Sequence, residues 1–235
     1  MSTQHVAIVT GASQGIGAAV AAAYRKLGSA VVANSRSIEP SGDPLLLAVA
    51  GDIADPAVGA RVVERALGTF GRVDTLVNNA GVFVAKPFTD YTSDDFDLVT
   101  HVNLRGFFDV TQRAVAAMLT QGGGHIVNIT ASLADHPNSG EPSALASLTK
   151  GGLNAVTKSL AVEYAARGIR VNAVAPGVIR TPMHAPETHD ALGGQQPVGR
   201  IGETGDVVDA ILYLETAGFV TGEILHVDGG RAAGH

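Results

Sequence analysis

The groups best suited to chemistry cluster around Lys150, in "EPSALASLTKGGLNAVTKSLA", Glu141 to Ala161. On a helix, positions 143, 146, 147 and 150 fall on one face. Ser143 and Ser147 then point near the side that carries the amine, and a serine hydroxyl beside a lysine can relay a proton. Ala146, on the same face, offers nothing. Histidine is a better general acid than serine, and two are candidates: His136, and His184 in "TPMH". Either also reads as an ordinary loop histidine. His184, His189 and Asp190 have a spacing that admits a metal but no strong motif, so no metal is expected. There is no cysteine, hence no thiolate nucleophile, no cysteine-ligated metal and no disulfide.

A second chemical feature lies near the start of the chain. "TGASQGIG", Thr10 to Gly17, follows one apolar run and opens an alanine-rich helical stretch. Glycines at 11, 15 and 17 permit a tight turn, and the helix start offers free N–H groups and a positive dipole end. Together they make a phosphate cradle. Gly11, Ser13, Gln14, Gly15, Ile16 and Gly17 are therefore candidate nucleotide contacts. At the end of the next apolar run stands "ANSRS", without an acidic residue. An acid there would bind a ribose 2′-hydroxyl and repel a 2′-phosphate. Ser35 and Arg36 instead suit the phosphate, which favours NADP(H) over NAD(H). The alternative is that Arg36 is only a solvated loop charge. Asp52 and Ile53, expected to close the third strand, could meet an adenine edge, although Asp52 could equally cap the following helix, a role for which Asp55 is better placed.

Seven apolar runs of strand length must hold these groups: "HVAIVTG", "AVVANSR", "LLLAVAGDI", "DTLVNNAG", "HIVNITAS", "IRVNAVAPG" and "GEILHVDGG". Helical stretches separate most of them. Strands apolar throughout, alternating with helices, predict a doubly wound α/β domain with a parallel sheet covered on both faces. Between Arg36 and Asp52 two prolines and two glycines leave little room for a crossover helix, so an irregular loop is expected. The 235 residues suit one domain, residues 1–235, with a short substrate flap at about 183–200. Net charge is −6, which gives no nucleic-acid footprint. No apolar run is long enough to span a bilayer, and the start lacks a signal-peptide pattern. A cytoplasmic protein is expected.

The ordered set of motifs resembles the short-chain dehydrogenase/reductase family over essentially the whole chain. It comprises "TGASQGIG", "GDI" at 51–53, "NNAG" at 78–81, "HVNLRG" at 101–106, "IVNIT" at 126–130, Lys150, "IRVNAVAPGVIRTPM" at 169–183 and "TGEILHVDGG" at 221–230. The resemblance implies a Rossmann-type fold and hydride transfer between a nicotinamide and a small carbonyl or alcohol. It makes Asn79, Ala80 and Gly81 cofactor-wall residues. Asn103 would bend its helix and hold a water of a proton relay. Lys150 would bridge the nicotinamide ribose hydroxyls, and Pro176, Gly177, Ile179 and Thr181 would cradle the nicotinamide. It also implies a homo-oligomer, a tetramer or dimer.

The resemblance breaks at one place. The family carries a catalytic tyrosine four residues before the lysine, and this chain has Ala146 there. Its tyrosines are Tyr24, Tyr91, Tyr164 and Tyr213. Tyr164 lies about 21 Å from Lys150 along a continuous helix and cannot substitute. The family's serine falls on Ala131 by simple count. Ser132 is favoured as the active-site hydroxyl, with Thr130 the runner-up. An oxidoreductase with Asn103, Ser132 and Lys150 at its centre is the first reading. A nucleotide-binding, non-catalytic sensor or inactive partner subunit is the alternative.

Overall fold

A computed structural model describes residues 4–138, 140–194 and 196–234. Seven strands form one parallel sheet in the order β3-β2-β1-β4-β5-β6-β7. They are β1 (Val6–Thr10), β2 (Ala30–Ser35), β3 (Leu46–Ala50), β4 (Thr75–Asn78), β5 (Gly124–Ile129), β6 (Ile169–Pro176) and β7 (Ile224–Val227). The central strands are buried along their length, which is why they read as unbroken apolar runs instead of alternating ones.

One face is covered by α2 (Pro56–Phe70), α4 (Gly106–Gln121) and α5 (Ala144–Tyr164). Val58, Val62, Val110, Ala114 and Met118 pack there with Ile8, Leu76 and Ile126. The other face is covered by α1 (Gly15–Lys26) and α7 (Thr204–Thr216), through Val20, Tyr24, Val207 and Ile211. Local chemistry sets the helix ends. Asp55 accepts the Ala57 amide at 2.9 Å and Pro56 follows it, while Gly71, at φ 77°, closes α2. Thr92 and Asp95 form a reciprocal cap on α3 (Ser93–Thr100).

As expected, no helix joins β2 to β3. The third strand is shorter than its apolar run suggested. It ends at Ala50, and Asp52 and Ile53 lie in the turn beyond it, where Asp52 accepts the Ala54 amide at 3.0 Å. Asp55, not Asp52, caps α2. No helix among the described residues is long and apolar enough to cross a membrane.

A polar cluster sits at the amino ends of the strands. Glu215, near the end of α7, accepts hydrogen bonds from the Tyr24 hydroxyl at 2.7 Å and the Thr75 hydroxyl at 2.9 Å. The His125 Nδ1 lies 3.1 Å and the His5 Nε2 3.3 Å from the same carboxylate. Burial pushes the Tyr24 phenol well up and the His125 imidazole down, so both are neutral near pH 7. Burial alone would raise the Glu215 carboxyl, but hydrogen bonds from His125, His5 and Tyr24 outweigh it and hold it well below the usual carboxylate range.

Candidate active site

The opposite end of the sheet carries a cavity of about 480 Å³. It opens at the carboxyl ends of the strands, where the order reverses between β1 and β4. Open α/β sheets bind ligands at that crevice.

The turn between β1 and α1 forms one wall. Gly11 and Gly15 hold φ of 65° and 56°, conformations that favour glycine. No side chain caps the start of α1, so its first amides remain free for a ligand. Gly17 does not line the cavity. It lets α1 close on the turn, since a Cβ there would collide with the Gly11 carbonyl and the Asn79 amide. Asn79 is the clamp: its Nδ2 donates to the carbonyls of Thr10 at 2.9 Å and Gly11 at 3.1 Å. The amides of Asn79 and Ala80 donate to the Thr10 hydroxyl at 3.1 and 3.0 Å.

Ser35, Arg36, Asp52 and Ile53 line the same end of the cavity. The Ser35 hydroxyl is buried without a hydrogen-bond partner among the described residues, while Arg36 is exposed. A dinucleotide fits these features. A cradle of free amides, glycines that permit close approach and an orphaned hydroxyl at the end of β2 match phosphate groups.

At the other end stand Lys150, Ser132, Pro176, Gly177, Ile179 and Thr181. The Lys150 ammonium donates to the Ile129 carbonyl at 2.7 Å, and burial pushes its pKa down to about 8. The two candidate hydroxyls differ. Thr130 donates to the Val174 carbonyl at 3.3 Å, whereas Ser132, 1 % exposed, makes no side-chain hydrogen bond to the described residues and faces the cavity. Ala146 is buried and lines the cavity one helical turn before Lys150.

Asn103 sits in a π-turn, His101–Arg105, between α3 and α4. It does not line the cavity. Its Oδ1 accepts the Val82 amide at 2.9 Å, and its Nδ2 donates to the Val82 carbonyl at 3.0 Å and the Thr149 hydroxyl at 3.2 Å. It meets Lys150 only across Gly81, where a Cβ would lie 3.2 Å from the lysine Nζ and 3.4 Å from Asn103 Oδ1.

The proton candidates separate in the same way. Ser143 is the residue before α5, not on its face, and Ser147 donates weakly to the Leu133 carbonyl at 3.5 Å; neither lines the cavity. His136 is exposed and packs edge-on against His226, outside the cavity. His184 lines it, and burial lowers its pKa, so its imidazole is neutral near pH 7. Among the described residues no cluster of His, Asp and Glu is arranged to hold a metal. The sequence reading missed two charged wall residues, Glu141 and Arg231. They stand far apart in the chain and belong to no motif, so only folding unites them.

The flap is tied at its base. Ile179 and Gly202 form a parallel bridge, with Gly202 N donating to Val178 O at 2.9 Å and Arg180 N to Gly202 O at 2.8 Å. Its described residues include a 3₁₀ turn, Pro186–Thr188, and a short helix, α6 (His189–Gly193), and the Thr181–His184 segment at its start faces the cavity.

A family model described as Enoyl-(Acyl carrier protein) reductase matches residues 11–232. The 3-oxoacyl-[acyl-carrier-protein] reductase FabG of Thermotoga maritima is 37% identical over 96% of this chain and 96% of its own. The (2S)-[(R)-hydroxy(phenyl)methyl]succinyl-CoA dehydrogenase subunit BbsD of Thauera aromatica is 38% identical over 97% and 96%. Among solved structures, ElxO with NADP bound superposes with a TM-score of 0.92 at 30% identity, over 98% of this chain and 100% of that one. The 3-ketoacyl-(acyl-carrier-protein) reductase of Brucella melitensis, complexed with NADH, gives 0.90 at 33% identity over the same shares. With the sheet order, the glycine turn and Lys150 all in place, this full-length likeness makes the chain a member of the short-chain dehydrogenase/reductase family.

Proposed function

We propose that this protein is a cytoplasmic, NADP(H)-dependent oxidoreductase that interconverts a small carbonyl compound and its alcohol, with Ala146 in the place of the family's tyrosine. The observation that carries the reading is one continuous cavity, with a phosphate turn at one end and Lys150 beside an unbonded Ser132 hydroxyl at the other. A bound nicotinamide supplies the hydride donor or acceptor. The chain's own residues orient the substrate and manage its proton. Ser132 donates a hydrogen bond to the substrate oxygen. Lys150, a cation below its pKa of about 8, holds the ribose hydroxyls and is the acid from which the proton comes, through Ser132 or a water. Asn103 fixes the Val82 backbone and the start of α5 around this centre. His184 stays neutral and serves as wall. The test is calorimetric titration with NADPH and NADH, followed by NADPH oxidation with a panel of small ketones and aldehydes. Binding without turnover on any of them removes the catalytic reading.

Ser35 and Arg36 are the basis for preferring NADP(H). In the Arg36→Glu variant, NADPH affinity is expected to fall by about tenfold to a hundredfold, because a charge-assisted pair becomes a repulsion, while NADH affinity holds or rises. Calorimetry on both nucleotides decides it, and equal effects on the two would remove the 2′-phosphate from the argument.

The second reading, a non-catalytic nucleotide-binding subunit, is favoured by one observation: Ala146 brings no acid to the cavity wall. It predicts tight NADPH binding and no turnover.

The homo-oligomer belongs to the same proposal. Phe108 on α4 is 53% exposed, and Leu148 and Val162 on α5 are 57% and 83% exposed. A second copy covering these side chains would remove them from water. Light scattering is expected to return two or four times the chain mass; a monomer would leave those faces uncovered and end this part of the proposal.

A further inference from the structure

Three basic side chains line the cavity: Arg36, Lys150 and Arg231. The proposed function uses the first two. Arg231 belongs to a short turn, Arg231–Ala233, that packs against the turn carrying Ser132, so it stands at the substrate end. Its side chain is only 10% exposed, and its Nη2 is buried without a hydrogen-bond partner among the described residues. The nearest carboxylate oxygen, Glu141 Oε2, is 3.5 Å away and leaves that nitrogen unsatisfied. Arg231 lines the cavity, and a buried guanidinium N–H left there without an acceptor is costly unless a ligand provides one.

Burial restrains this guanidinium, and hydrogen bonds fix the backbone of the turn that carries it. Asp228 accepts the Gly230 amide at 3.0 Å on one oxygen and the Ala232 amide at 2.8 Å on the other. The Arg231 amide donates to the Asp228 carbonyl at 3.3 Å, and Gly229 and Gly230 supply φ of 64° and 89°. A cation prepositioned in this way binds an anion with little further loss of freedom.

We propose that Arg231 anchors a carboxylate of the substrate, so that the enzyme acts on oxo acids or hydroxy acids. The assignment rests on the oxidoreductase reading above and names the substrate class of that same cavity. Glu141 selects the kind of anion. Its carboxylate partly offsets the guanidinium charge and would repel a phosphate dianion more than a singly charged carboxylate.

The test reads binding apart from turnover. Protein loaded with NADP⁺, which cannot reduce a ketone, is titrated calorimetrically with pyruvate, acetoacetate and 4-oxopentanoate, and with their methyl esters. At least one acid is expected to bind about tenfold to a hundredfold more tightly than its ester. Arg231→Gln is expected to abolish that preference and Arg231→Lys to retain part of it. Glu141→Gln, which leaves the guanidinium intact, is expected to tighten the acid severalfold and covers the case in which Arg231→Gln does not fold. Acids and esters binding alike, no acid binding at all, or a preference that survives Arg231→Gln overturns the proposal. Inorganic phosphate binding more tightly than every acid overturns the carboxylate assignment. NADPH oxidation with the same compounds keeps the two readings distinct. Arg231-dependent acid binding without turnover would leave the anchor standing and remove the oxidoreductase; turnover indifferent to the carboxylate would do the reverse.

Discussion

Ala146→Tyr is expected to raise kcat for NADPH-dependent ketone reduction by about 100-fold to 10,000-fold, the usual contribution of a positioned general acid. The Ala146 side chain is buried at the cavity wall, one turn of α5 before Lys150. A phenol placed there would point into the cavity beside the Lys150 ammonium, which favours the phenolate and brings its pKa down from about 10 toward the working range. Ala146→Phe is the control, because it fills the same space without a proton. The wild-type pH profile supplies a second readout. Lys150 must carry its proton to act as the acid, and burial places its pKa at about 8, so wild-type reduction is expected to be full below that value and to decline as pH rises through it. Tyrosine and phenylalanine variants that stay equally slow while still binding NADPH would show that the phenol is not the missing element. A strong loss of existing activity in both would mean that substrate occupies the space beside Ala146.

The largest stability effect is expected at the far end of the sheet. Removing the Glu215 carboxylate by Glu215→Ala leaves the Tyr24 hydroxyl, the Thr75 hydroxyl and the His125 ring without their acceptor in a buried cluster. Each buried donor left without its acceptor costs about 1–3 kcal/mol, so for the three together a loss of about 3–5 kcal/mol is expected. For a chain of this size the corresponding fall in Tm is on the order of 10 °C. Thermal unfolding followed by circular dichroism measures it, and a fall of under about 2 °C would show that water replaces the carboxylate at no cost. The pH dependence has a definite sign. The carboxyl's folded pKa lies below its unfolded value. Its stabilisation is therefore present above the unfolded value and is lost as pH falls toward the folded one. The gap between wild type and Glu215→Ala is expected to narrow on acidification.

The parts of the molecule that were legible in the sequence are those whose cause is local. Unbroken runs such as Val6–Thr10 mark strands buried on both faces, and glycines at 11 and 15 mark a turn that only a positive φ permits. The missing helix between β2 and β3 follows from the prolines and glycines of that stretch. Non-local packing decided the rest. Ser143 fell one residue short of the helix, which removed it from the face it was assigned to. The choice between Thr130 and Ser132 depends on Val174, a strand away, which takes up the threonine hydroxyl. Asn103, read as holding a relay water, directs its side-chain amide to Val82 and Thr149, partners that no motif announces. Arg231 and Glu141 had no signal at all, because a pair brought together by tertiary contact leaves no period or spacing to read.

The two ends of the cavity also differ in when they can exist. The phosphate turn is held by Asn79, so that wall is complete once β4 and the residues just after it have been made. The substrate end leans on Asp228, whose backbone lies so close to Gly177 that a Cβ there would come within 2.8 Å of it, and which holds the turn carrying Arg231. A chain emerging from the ribosome therefore gains its nucleotide cradle once Asn79 has been made and its substrate wall only once Asp228 has followed. A product cut short after Ala80 and before Asp228 keeps the glycine turn with its Asn79 clamp and has no complete site. Such a fragment would still compete for dinucleotide wherever the cradle holds its shape, without the means to use it.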